Sequence, residues 1–168
     1  MKKIENPIPA ERRWEISAAQ GSEVPFAYEM ALRRIAPEKM VEFEEEIQKI
    51  WTEIGMRRGF EARNMCSDPD NAIEIAESLN AFSNSAFGRE FGYEIRPGRG
   101  DSAFAVAMNC PLMAKNKEFL NETSSARNIC MNYVISAVEG INPNYAVTYE
   151  KQMCKGDGKC VMKIEKRS

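Results

Sequence analysis

Cys110, Cys130, Cys154 and Cys160 are the residues in this sequence whose type and spacing point to chemistry, in the pattern C-x19-C-x23-C-x5-C. Two cysteines flanking a tight turn, as Cys154 and Cys160 do around Lys155-Gly156-Asp157-Gly158, approximate the knuckle that zinc uses. The five-residue gap is looser than the strongest zinc spacing. A Cys-Pro pair at Cys110-Pro111 would hold a thiolate in a stiff loop, which suits a metal or an iron–sulfur cluster. Four thiolates around one ion form a closed structural site, so metal-assisted catalysis would require only three of them to bind. Glu150, four residues before Cys154, then offers a further ligand or a general base if both lie on one strand face. Asp157 could orient a substrate amine, or simply satisfy the backbone of its own turn. The competing reading is that all four cysteines are inert, because free cysteine is a small hydrophobe and among the most buried residues.

Other groups carry less. Cys66 lies ahead of Asp68-Pro69, where a helix N-terminus would favour a thiolate, but it stands outside the four-cysteine pattern. Arg89, Arg96 and Arg99 surround a turn and could grip a carboxylate, or act as solvated charges that keep a sheet edge free.

The composition narrows the chemistry. Histidine is absent, which removes the Ser-His-Asp triad, the Cys-His pair and the histidine-rich zinc site. A formal charge of -2 supplies no basic field for nucleic acid, so no nucleic-acid partner is expected. The first residues, Met1-Lys2-Lys3-Ile4-Glu5, lack the apolar run of a secretory signal, and no uncharged stretch reaches spanning length. A cytoplasmic protein that neither enters nor crosses a membrane is the expectation. In a reducing compartment five cysteines, an odd number, argue for metal or redox roles before disulfides.

The elements that must position these residues read as one α+β domain spanning residues 1–168. Residues 1–24, with Pro7, Pro9 and Gly21, read as an arm. A helical part follows over 25–88. Its first helix ends at Ala36-Pro37, and its second carries Met40, Phe43, Ile47, Ile50, Trp51 and Ile54 and closes at Gly55 and Gly59. Asp68-Pro69 reads as the cap of a third helix that stops at Gly88. Residues 89–168 read as a ββαββ part. Phe91, Tyr93 and Ile95 alternate before the turn Pro97-Gly98-Arg99-Gly100-Asp101, and Phe104, Val106 and Met108 alternate after it. A loop or short helical turn precedes a helix over about Thr123 to Gly140. Tyr145, Val147 and Tyr149 then lead to the Asp157-Gly158 turn and a return strand from Cys160. An antiparallel sheet of about four strands, with helices packed on one face, covers these apolar stripes.

Asn109-Cys110-Pro111, Ile129-Cys130, Gly140-Ile141-Asn142-Pro143 and Cys154-Lys155-Gly156-Asp157-Gly158-Lys159-Cys160 together resemble the L-2-amino-thiazoline-4-carboxylic acid hydrolase family. They also resemble the broader 4-vinyl reductase type of small-molecule-binding domain. The resemblance is close over roughly the last 60 residues. It implies a zinc set drawn from Cys130, Cys154, Cys160 and either Cys110 or Glu150.

Three functional expectations follow. The first is a hydrolase-like enzyme opening a small cyclic C–N or C–S substrate with a cysteine-bound metal. The second is a non-catalytic small-molecule sensor whose last hairpin is fixed by zinc or an iron–sulfur cluster. The third is a redox or sulfur-handling protein. A small-molecule ligand or substrate and a homodimer through the long apolar-striped helices are the expected partners.

Overall fold

In the computed structural model, residues 8–88, 92–121 and 124–167 are described. The first helix, α1, spans Ala10–Ile35, so most of what the sequence reads as an arm is helical. Pro25 sits inside it. Ala18, Ser22, Phe26 and Glu29 recur at helical spacing and are all buried, and packing along this face overrides the local cost of the proline. The helix ends where expected. Ala36 leaves helical geometry, and Pro37 opens a short 3-10 turn, Pro37–Lys39.

Helix α2 spans Met40–Arg63. Gly55 and Gly59 do not close it, as their residue type suggests. They lie within it, buried, where α2 crosses the helix α5, Ser124–Ile141. A Cβ at Gly59 would strike the Ala137 carbonyl and come within 2.8 Å of the Gly140 Cα, and one at Gly140 would meet the Met56 carbonyl at 2.5 Å. The glycines therefore let two backbones approach, a use that punctuation-style reading cannot separate from a helix stop.

Helix α3 covers Ala72–Phe87. Its cap is Asn71, whose Oδ1 accepts from the backbone of Ile73 at 2.9 Å and Glu74 at 3.3 Å. The Asp68-Pro69 cap is thereby corrected: Asp68 Oδ1 accepts from the Asp70 N–H at 3.0 Å and closes a separate turn. Gly88, at φ 91°, ends the helix as expected.

Four strands form one antiparallel sheet: β1 Glu94–Pro97, β2 Ser102–Ala107, β3 Tyr145–Lys151 and β4 Cys160–Lys166. The spatial order is β1-β2-β4-β3, so the last strand of the chain lies between β2 and β3 and joins the two hairpins. Phe91 falls outside the described residues. Between β2 and α5 the chain forms a full helix, α4 Pro111–Leu120, where the sequence suggests only a loop or short turn. The core joins Phe26, Ile75, Leu79, Val134, Val138 and Ile141 from the helices to Tyr145, Met162 and Ile164 from the sheet. The expected α+β architecture, an antiparallel sheet with helices packed against it, is the one observed.

Candidate functional site: a pocket lined by four thiols

Each of the four cysteines arrives on a different element. Cys110 is the N-cap of α4, and its sulfur accepts the Met113 N–H at 3.3 Å. Proline at the first helical position costs no hydrogen bond there, so Cys-Pro begins a helix as well as ending a strand. Cys130 rides on α5, held by the glycine crossing with α2. Cys154 lies in a 3-10 turn, Met153–Lys155, just beyond β3. Cys160 opens β4 opposite Ala107 of β2, and its sulfur accepts the Met153 N–H at 3.3 Å.

All four line one pocket, closed by Met113, Ala126 and Met131, with Tyr149 and Arg127 at its wall. The space between them is about 20 Å³, room for roughly one water. The Cys130 sulfur lies 3.7 Å from the Tyr149 hydroxyl.

Burial sets the electrostatics. It pushes the Cys110 thiol up to about 11 against the opposing pull of the Met113 N–H, and it pushes Cys130 higher still. Cys160 is raised by the same cause, as is Cys154, although Arg127 and Lys155 pull Cys154 back. Buried hydroxyls behave alike: Tyr93 and Tyr149 are both raised well above the usual phenol range, first by desolvation. At neutral pH the pocket therefore holds neutral thiols and phenols. Such thiols are weak nucleophiles, because the thiolate is the reactive form.

The two carboxylates expected to do chemistry stand elsewhere. Glu150 is exposed, at a register shift where β3 bulges between Tyr149 and Lys151. Cys154 has by then left the strand, so the two do not share a strand face. Asp157 accepts the Gln152 N–H at 2.7 Å and serves the turn, with Gly156 beside it at φ 98°. Arg96 pairs with Glu94 at the surface, and Arg89 lies outside the described residues. Cys66 packs against the core apart from the pocket lining. The sequence reading overlooked Tyr149, although its alternation with Tyr145 and Val147 on a strand signals which face it takes.

Among the described residues no group of three or more Cys, Asp or Glu side chains is arranged to hold a metal ion. Among the described residues no helix is long and apolar enough to cross a membrane.

No protein-family profile matches the chain, and no curated protein matches it. A solved structure with a similar fold is trafficking protein particle complex subunit 3 from Naegleria fowleri, crystallised covalently bound to palmitic acid. The two are 15% identical with a TM-score of 0.58, and the similarity covers 89% of this chain and 96% of that one. The expected metal-dependent hydrolase, together with its alternative of a sensor built around zinc or an iron–sulfur cluster, is corrected by these two findings. Among the described residues no metal-holding group is found, and the fold is one found in a trafficking-complex subunit. The zinc and iron–sulfur assignments are left without support. The chain thus shares its fold, across most of its length, with a subunit of a trafficking particle.

Proposed function

We propose that this chain is a non-enzymatic assembly domain that docks against other protein chains. The observation that carries the reading is the outer face of α1. Val24, Tyr28 and Ile35 are 48%, 70% and 80% exposed there, and Val41 at the start of α2 is 71% exposed. A run of large apolar side chains offered to water on one helix marks a contact surface, whereas single exposed hydrophobes need no explanation. The fold likeness supports the same reading, since the similar structure is by its name a subunit of a multi-protein particle. The palmitic acid on that protein gains no support from the cysteine pocket here, because about 20 Å³ has no room for an acyl chain. A cytoplasmic setting fits five free thiols.

The test is the double variant Tyr28→Glu/Ile35→Glu. It is expected to stay folded with stability within about 0.5 kcal/mol of the parent, as for substitutions away from packed features. It should also bind far less of a hydrophobic dye. A large fall in melting temperature would contradict the reading, because those side chains would then belong to the core.

A further inference from the structure

Two of the pocket's thiols are placed for a bond to each other. Cys154 sits in the 3-10 turn Met153–Lys155, and Cys160 opens β4. The Cys160 sulfur accepts the Met153 N–H at 3.3 Å, which sets it one backbone step from Cys154. Both residues line the same space, and Cys154 is near enough to act electrostatically on the Cys160 thiol. Cys110 and Cys130 line that space too, but they are fixed at the start of α4 and within α5. Residues 155–159 are exposed, and a Cβ at Gly156 or Gly158 meets nothing within 4 Å. A disulfide holds its Cα atoms about 4–7 Å apart, so any adjustment toward that spacing falls on a turn in open space rather than on a helix.

The two thiols differ in which can react first. Arg127 and Lys155 favour the Cys154 thiolate, and no cation is among the causes acting on Cys160. Arg127 stands at the wall of the pocket, and its Nε is buried with no acceptor among the described residues. A buried charged donor without a partner is costly, and negative charge developing on a nearby sulfur or oxygen would supply one. The space itself, about 20 Å³, admits one water-sized group. That suits the oxygen of a hydroperoxide and keeps a bulky disulfide reagent out.

We infer that Cys154 and Cys160 form a hydroperoxide-responsive thiol pair, in which Cys154 is oxidised first and Cys160 then closes a reversible disulfide. The Cys154 thiolate attacks one peroxide oxygen. An S–O bond forms, the O–O bond breaks, and the departing oxygen leaves as hydroxide and takes up a proton to become water. The Cys160 sulfur then attacks the sulfenic acid. An S–S bond forms, the S–O bond breaks, and the leaving hydroxide takes the Cys160 proton. Two thiols lose two electrons, hydrogen peroxide gains them, and two waters are released. Sequence spacing leaves the four cysteines without assigned partners; the turn that carries Cys154 assigns them. The pair is separate from the exposed face of α1, so either reading can fail alone.

The experiment exposes the full chain, reduced and freed of reductant, to hydrogen peroxide at pH 7.5. Remaining thiols are blocked with iodoacetamide, and the chain is digested with trypsin and mapped by mass spectrometry without reduction. Lysines at 151, 155, 159 and 163 put the two cysteines on separate peptides, 152–155 and 160–163. The expected result is a link between these two peptides as the main disulfide, formed within single chains and removed by dithiothreitol. Cys160→Ser should leave Cys154 as a sulfenic acid that dimedone traps, and Cys154→Ser should lose the link. Arg127→Ala should slow its formation by about threefold, with Arg127→Lys restoring most of the rate, because the nearby charge sets the thiolate fraction. An unchanged rate in Arg127→Ala would overturn the part given to Arg127. A main link through any other cysteine, or one that joins two chains, would overturn the pair. So would the absence of any link at a peroxide dose that oxidises glutathione in the same tube.

Discussion

The Tyr149 hydroxyl sits 3.7 Å from the Cys130 sulfur, with both groups raised in pKa first by burial. Ionising either one would place a charge in an apolar wall beside a second group that resists ionisation, so the pair favours staying neutral. Burial thus holds a neutral thiol against a neutral phenol in this wall.

This arrangement has a pH signature. A thiol whose folded pKa exceeds its unfolded value loses its proton first in the unfolded chain, so stability is unaffected below the unfolded value and falls above it. For Cys110 the window runs from the ordinary thiol value of 9.0 to about 11, and the loss from that group alone reaches about 2–3 kcal/mol. Urea denaturation between pH 7 and 11 measures it. A flat profile would contradict the buried-thiol account. Alkylation at pH 7.5, followed by mass spectrometry, should label Cys154 before Cys130, because Arg127 and Lys155 favour the Cys154 thiolate and Cys130 has no such neighbour among the causes of its shift.

The glycine crossing of α2 and α5 makes a signed pair of outcomes. Gly59→Ala forces a methyl group against the Ala137 carbonyl and the Gly140 backbone, and overpacking of this kind costs about 1–3 kcal/mol. Gly21→Ala, in the same residue type but on open helix surface, is expected to stabilise by up to about 1 kcal/mol. Melting of the two variants side by side at low concentration checks the contrast. Equal effects would mean that α2 and α5 do not cross this closely.

Tyr145 ties the sheet to the start of α3. It is fully buried, and its hydroxyl meets the Asp101 carboxylate and lies 2.6 Å from the Asp70 carbonyl. The other Asp101 oxygen accepts the Ala72 N–H at 2.9 Å. Tyr145→Phe keeps the ring but leaves a carboxylate short of a donor, at a cost of about 1–3 kcal/mol. A chemical-denaturation midpoint unchanged from the parent would show that water replaces the hydroxyl freely.

Much of the scaffold is legible in the sequence because its signals are local. The Gly156-Asp157-Gly158 turn, alternating Tyr145, Val147 and Tyr149, and the three- and four-residue recurrence around Cys130 each name an element without reference to distant partners. What is lost is what depends on a partner. Gly55 and Gly59 read as stops until α5 lies against them, residue 25 reads as the start of the helical part until Ala18, Ser22 and Phe26 are seen buried on one face, and Asn71 outcompetes Asp68 as a cap only in the folded turn. The pocket divides in the same way. Spacing allows Cys110, Cys130, Cys154 and Cys160 to face one space, but whether four sulfurs bind an ion depends on donor directions and burial, which sequence spacing does not encode. The exposed face of α1 escaped the reading because residues 1–24 looked like an arm, which hid half of the helix.

The openness of that face is tested most directly by hydroxyl-radical footprinting of the dilute chain, read at Tyr28 and at Phe26. Phe26 is fully buried and Tyr28 is 70% exposed two residues away on the same helix, so each serves as the other's control. The expected result is rapid labelling of Tyr28 with Phe26 protected. Protection of both residues in the most dilute sample would contradict a docking face on α1, because Tyr28 would then be part of the monomer's own core.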